Sequence, residues 1–569
     1  MDCRERILSE DYFDVIADFQ LGLSSDPLYD FCDIDIEDLF SLIYFNKNTL
    51  TDANDYFYDY RSVPKLYGLM QQGESAFDPN SLIVSGITQI QREPLQLTGR
   101  GCVIVLIDTG IRYTDAVFRN LDGSTRILAI WDQTIQIGTP PEGFFYGTQY
   151  TKEEIDRALQ TEDPYAVVPS RDENGHGTNL AAVAAGSRLE NGMGYLGAAP
   201  EADIVVVKLK QCKQYLREFY LIPENAPAYQ ENDIMLAVKY GESFARTFRR
   251  PVVFCIGLGT NYGDHAGSSP LSRYLSAIAV RRSRAVVVCG GNEGNAAHHY
   301  QGMMDQRRSG EENRTAVEVR VGENAQGFLL EFWGNVPDVF TISVRSPGGE
   351  TVPAIRLGIR DVITYSFVYE RTRITIAGEL VEPASGEELI LMRVQSPTSG
   401  IWTFFVEPAR EIHNGMFHMW LPLTQFMNSD NFFLEPNPDI TLTEPGMASD
   451  VITVSTYDSA NNSFYVQSGR GFTRDGRIKP DFSAPGVNIS VPREKATGSS
   501  LAAAITAGAV AQFMQWAVVE GNNSVVESRE IRNYFVRGAS RDPEVIYPNR
   551  EWGYGRLNMV GTFDALIGV

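Results

Sequence analysis

Four short runs of apolar residues constrain this chain more than any other feature: Val103-Ile104-Val105-Leu106-Ile107, Ile204-Val205-Val206-Val207, Val252-Val253-Phe254-Cys255-Ile256 and Ala285-Val286-Val287-Val288. They are continuous rather than alternating, so each strand they form has to be covered on both faces. Runs of this kind, separated by helix-length segments, predict a parallel sheet with helices on either side, an α/β architecture. In open sheets of that class the ligand crevice lies outside the carboxyl ends of the strands. Asp108, which ends the first run, stands at such a place.

Elsewhere the texture differs. Between about Arg314 and Thr443, the segments Val317-Glu318-Val319-Arg320-Val321, Thr341-Ile342-Ser343-Val344-Arg345 and Thr372-Arg373-Ile374-Thr375-Ile376 alternate, with turns supplied by Ser346-Pro347-Gly348-Gly349 and Pro397-Thr398-Ser399-Gly400. This predicts an inserted antiparallel β-sandwich. The first 70 residues mix aromatic-rich runs with an acidic stretch and read as a small α+β unit. Residues 1 to 60 carry 15 acidic side chains against Arg4, Arg6 and Lys47, which marks this unit as separable. The expected divisions are 1–72, an N-terminal unit; 73–313 and 444–569, two parts of one α/β domain; and 314–443, the insertion.

Composition excludes several classes of partner. A formal charge of -23 disfavours attraction to nucleic acid or anionic lipid. Met1-Asp2-Cys3-Arg4-Glu5-Arg6 is not followed by an apolar signal region, and no window shows the unbroken apolar length of a membrane span. The expectation is a protein not exported by the general secretory route, hence cytoplasmic. The six cysteines are widely spaced, without metal-ligand spacing, and read as reduced, mostly buried thiols. No cofactor or metal is expected.

Cleaving an amide requires a nucleophile, a base that takes its proton, a carboxylate that orients the base, and donors for the oxyanion. Four segments offer these parts. Asp108, in Asp108-Thr109-Gly110, could fix the tautomer of an imidazole. His176 stands in Asn174-Gly175-His176-Gly177-Thr178, ahead of the small-residue run Ala181-Ala182-Val183-Ala184-Ala185-Gly186. Ser500, in Gly498-Ser499-Ser500-Leu501-Ala502-Ala503-Ala504, opens a second small-residue helix. There a hydroxyl could be a plain N-cap or a nucleophile beside backbone N–H donors. Asn292, in Gly290-Gly291-Asn292-Glu293-Gly294, could present its amide to the oxyanion.

These segments, in the order Asp, His, Ser, resemble the subtilase family. Further matches are Gly257-Leu258-Gly259-Thr260, similar to that family's substrate-pairing strand, Pro480-Asp481-Phe482-Ser483-Ala484-Pro485-Gly486, and Trp552-Gly553-Tyr554-Gly555. The resemblance implies a serine endopeptidase with Asp108, His176 and Ser500 as triad, Asn292 as oxyanion donor, and Gly257, Leu258 and Gly259 binding the substrate backbone. The chain departs from the family at Ser499, Ala504 and Gly257, where threonine, proline and serine are usual.

Within the family, the N-terminal unit, the segment Val63-Pro64-Lys65-Leu66-Tyr67-Gly68-Leu69-Met70 and the insertion resemble the Csp germination proteases of clostridial spores. That resemblance implies a jellyroll insertion, a prodomain kept as bound inhibitor after self-cleavage, activation of a cortex-lytic pro-enzyme, and spore association as the alternative to a cytoplasmic location. Leu66 to Met70 is expected in the substrate cleft, with the cut between about Met70 and Glu74. A catalytically silent sensor and a broad housekeeping protease are the alternatives.

Overall fold

The computed structural model describes residues 2–18, 31–49, 60–71, 81–187, 195–305, 313–355, 361–492 and 495–567. The four apolar runs form Val103–Asp108, Asp203–Lys208, Val252–Ile256 and Arg284–Cys289, which lie side by side in the middle of a nine-stranded sheet. Its order, from one edge, is Ser463–Phe464, Ile452–Asp458, Arg284–Cys289, Val252–Ile256, Val103–Asp108, Asp203–Lys208, Ile127–Asp132, Thr148–Thr151, with Phe482–Pro485 also paired to Ile452–Asp458. Pairing is parallel except at Thr148–Thr151 and Ser463–Phe464.

Alternation along each central strand explains why the runs are apolar throughout. Ile104, Leu106, Val206, Val253, Cys255 and Val287 share a core with the helices His176–Ala185 and Ser499–Met514. Their neighbours Val103, Val105, Val205, Val207, Phe254 and Val286 pack with the helices Glu231–Phe248 and Pro270–Ala279 on the other face. Ser499–Met514 is apolar all round because it is buried all round. With its extension to Val519 it is long and apolar enough to cross a bilayer, yet most of it lies inside the protein core.

The N-terminal unit is a helix, Cys3–Leu8, on a three-stranded antiparallel sheet ordered Tyr12–Ala17, Phe40–Asn46, Phe31–Ile36. Ile16, Ile34, Ile36, Phe40 and Leu42 join the core of the Glu231–Phe248 face. One sequence expectation is corrected here. Cys3 and Cys32 are joined as a disulfide, with Cα atoms 5.4 Å apart, because the helix start and the sheet edge bring them together. Cys102, Cys212, Cys255 and Cys289 are free and buried.

The insertion consists of a six-stranded and a five-stranded antiparallel sheet between His299 and Phe433. Phe328, Phe332, Ile376, Met392 and Met419 from one sheet and Val317, Ile342, Trp402 and Phe404 from the other form a single core, separate from the two that flank the parallel sheet.

Candidate active site

Asp108 ends the central strand Val103–Asp108 and is fully buried. Its Oδ1 accepts from the Thr109 N–H at 2.7 Å and lies 2.7 Å from His176 Nδ1. A carboxylate can only accept, so the proton sits on Nδ1 and Nε2 is left basic. Nε2 stands 3.0 Å from Ser500 Oγ. All three side chains are buried. Hydroxyl, imidazole and carboxylate therefore form one hydrogen-bonded line, although 392 positions separate Asp108 from Ser500.

The helix carrying His176 is held by a residue the sequence reading passed over. Asp172 accepts at Oδ1 from the Gly175 N–H (2.8 Å) and the Thr109 hydroxyl (2.9 Å), and at Oδ2 from the Thr178 N–H (2.9 Å) and hydroxyl (2.6 Å). It thereby satisfies orphan donors at the helix start and ties them to the turn beside Asp108. The Thr109 hydroxyl in turn accepts from the Gly177 N–H at 2.9 Å. A carboxylate four residues ahead of a helix start was the available signal.

Asn292 follows the strand Arg284–Cys289 and is buried. Its Oδ1 accepts from the Ser499 N–H at 3.0 Å, which leaves Nδ2 as the donating end of the amide. The Ser499 hydroxyl accepts from the Gly291 N–H at 3.1 Å, so serine there keeps a hydroxyl in use. Gly257 has a steric reason to be glycine: a Cβ would stand 2.5 Å from Leu180 Cδ2, 3.0 Å from Ser500 Cβ and 3.2 Å from His176 Cε1.

The cleft is filled by the chain itself. Leu66–Leu69 pairs antiparallel with Leu258–Gly259, placing Leu69 opposite Leu258 and Gly68 opposite Gly259, and on its other edge with Tyr229–Gln230. The Met70 N–H donates to the Gly257 carbonyl at 3.1 Å, and the Ser500 N–H donates to the Met70 carbonyl at 3.2 Å. Gln72, Gly73 and Glu74 lie outside the described residues.

A relay of this kind, with a peptide carbonyl held against the N–H of the nucleophile, performs acyl transfer. The class it defines is a serine protease built on an α/β sheet. Comparison with known proteins makes this particular: the profile of the Subtilase family matches residues 99–319 and 428–555, and the chain belongs to that family. The gap between the two matched stretches falls in the inserted sheets. Among solved structures, the chain is similar to the CspB protease of Clostridium perfringens, at 29% identity and TM-score 0.76, covering 86% of this chain and 98% of that one. It is also similar to the prenylagaramide maturation protease PagA, at 11% identity and TM-score 0.39, covering 84% of this chain and 98% of that one. An uncharacterized protein of Aquifex aeolicus is 29% identical over 160 residues, 23% of this chain and 70% of that protein.

Proposed function

We propose that this subtilase cuts its own chain once, between Met70 and Gln71, keeps the N-terminal piece as a bound inhibitor, and then acts in trans on a polypeptide. By its resemblance to the Csp proteases, that substrate is a cortex-lytic pro-enzyme of the germinating spore. The observation carrying this reading is the Met70 carbonyl bonded to the Ser500 N–H, with the Met70 N–H on Gly257. A substrate residue whose carbonyl is to be attacked would be held in the same way.

In this reading Ser500 Oγ adds to the Met70 carbonyl carbon as its proton passes to His176 Nε2. The oxyanion is met by the Ser500 N–H and Asn292 Nδ2, while Asp108 holds the imidazolium. His176 returns the proton to the Gln71 nitrogen as the bond breaks, and water then releases the Met70 carboxyl from the serine. The first turnover is intramolecular, with the bond already at high effective concentration.

The test is intact-mass analysis of the purified chain beside Ser500→Ala. The parent should yield a fragment ending at Met70 and one beginning at Gln71 that co-purify, while Ser500→Ala remains the single 63.3 kDa chain. Subtilisin, a worked case of triad removal, loses about 10⁶-fold in kcat, so no slow residual cut is expected. An uncut parent, or a cut that persists in Ser500→Ala, overturns the reading, and an uncut parent whose Ser500 also resists a fluorophosphonate probe favours the silent sensor.

A further inference from the structure

The inserted β-sandwich reaches into the substrate cleft. Directly after its strand Met416–Trp420, the chain makes a single 3₁₀ turn, Thr424–Phe426. From this turn the Gln425 Nε2 donates to the Leu69 carbonyl at 2.9 Å. Leu69 is the second residue before the Met70–Gln71 bond. Its neighbour Gly68, the third, lies under the same side chain: a Cβ on Gly68 would stand 2.7 Å from Gln425 Cδ and 3.0 Å from Leu423 Cδ1, and closer still to Gln425 Nε2. Gly68 is not in the positive-φ region, so its backbone conformation is open to other residues, and the restriction comes from the wall above it, formed by the buried Leu423 and by the Gln425 amide, the movable end of its side chain.

The wall is fixed on the side facing the catalytic residues. Glu293, next to Asn292 in sequence and buried, accepts at Oε2 from the Thr424 N–H at 3.2 Å and from the Thr424 hydroxyl at 3.0 Å. His298 Nδ1 stands 2.7 Å from the same oxygen. Leu423 and Phe426, on either side of Thr424 and Gln425, are buried in the main core. Gln425 is thus carried by a turn tied to the loop that bears the oxyanion asparagine.

We infer that the insertion is a specificity element, and that through Gln425 it makes the enzyme select glycine at the third residue before the bond it cuts. Gln425 binds the carbonyl of the second residue only while the third has no side chain, since a Cβ there displaces the amide and breaks that bond. The substrate class is an extended polypeptide reading Gly-x, then an apolar residue, then the cut. This deepens the self-processing reading and rests on it.

The experiment follows the first cut of the full chain during cell-free translation, sampled on denaturing gels. Gly68→Val should slow processing by about tenfold, because valine both displaces the Gln425 amide and crowds the buried Leu423. Gln425→Ala alone should slow it by no more than roughly fivefold, the loss of one hydrogen bond to substrate. Gly68→Val combined with Gln425→Ala should be cut faster than Gly68→Val alone, because the Gln425 part of the obstruction is gone while Leu423 remains. Thermal unfolding of Gly68→Val in a Ser500→Ala background checks folding. Should valine prevent folding, Gly68→Ala carries the test, since its methyl meets the same Gln425 atoms. Processing of Gly68→Val at the parental rate, or a double variant as slow as Gly68→Val, overturns the inference and leaves self-processing standing. An uncut parent chain refutes both.

Discussion

Two of the places where the N-terminal unit meets the rest of the molecule differ in character. At its tip, Leu66 to Met70 makes main-chain hydrogen bonds to Leu258–Gly259, Gly257 and Ser500, with the apolar side chains of Leu66, Tyr67 and Met70 buried. At its base, Asp14 is buried against side chains. Its Oδ1 meets Lys213 Nζ at 2.5 Å, and its Oδ2 accepts from Gln230 Nε2 at 2.6 Å and Asn232 Nδ2 at 3.2 Å. Main-chain bonds can be offered by any extended peptide, so in the proposed reading the tip occupies the place a substrate would take. A buried ion pair with hydrogen bonds from two amides can be made only by this unit. Cutting at Met70 would remove the tether at the tip and leave the base untouched, and retention of the piece follows from that asymmetry.

The largest effect that would break this comparison comes from the base. Asp14→Ala leaves Lys213 buried without its counter-charge. Burial already pushes the lysine below its ordinary pKa, against the pull of Asp14. Removing one partner of a buried pair typically costs about 3–5 kcal/mol. The N-terminal piece should then separate from the large fragment on size exclusion, with protease activity on added peptides rising as the cleft empties. Co-purification as tight as in the parent would show that the tip, not the base, retains the piece.

At the tip the corresponding change is Asn292→Ala. Removing one oxyanion donor costs roughly 3 kcal/mol of barrier, so self-cutting should slow by about two orders of magnitude while the piece, once released, stays bound. An unchanged rate of cutting would mean that the Ser500 N–H acts without the asparagine.

How much of this was legible in the sequence follows the same division. The parallel sheet could be read because strands covered on both faces must be apolar throughout, and Val103–Asp108 and its three partners could have no other pattern. Asp108, His176 and Ser500 could be read because small residues crowd around them, whereas the fit of Gly257 against Leu180, Ser500 and His176 shows only in the fold. The contacts that regulate access were not legible. Asp14 and Lys213 carry charges that in a bare sequence belong on a solvated surface, and only the assembled fold pairs them. Gln425 lies 356 positions from Leu69, and a glutamine after a strand gives no local sign of its partner. The pairing of Cys3 with Cys32 was likewise invisible, since their spacing fits no motif.

A third contact lies between base and tip and gives the smallest effect, one that depends on pH. Glu331, from the insertion strand Gly327–Gly334, is buried where the three parts of the molecule meet. It accepts from the Tyr60 hydroxyl of the N-terminal unit, from the Gly263 N–H of the catalytic part at 3.1 Å, and from Trp333 Nε1 at 3.0 Å. Burial pushes its carboxyl up to about 7, although these donors and Lys65 pull the other way. The folded chain therefore keeps this proton up to about pH 7, while an unfolded glutamate releases it near 4.5. The folded state binds more protons in between, so the stabilisation is fully present below about 4.5 and is lost as pH rises through about 7. The whole effect is at most about 3 kcal/mol. Glu331→Gln stays neutral throughout: its amide oxygen can accept from Trp333 and Gly263, and its NH₂ can face the Tyr60 hydroxyl. In a Ser500→Ala background, the melting temperature of the parent should fall more steeply between about pH 4.5 and 7 than that of Glu331→Gln, with the difference complete by about 7. Glu388, which burial also pushes up to about 7, is present in both chains and cancels in the difference. Parallel profiles would mean that Glu331 is ionised across this range, and that the junction of the three parts is held by a charge rather than by a neutral carboxyl.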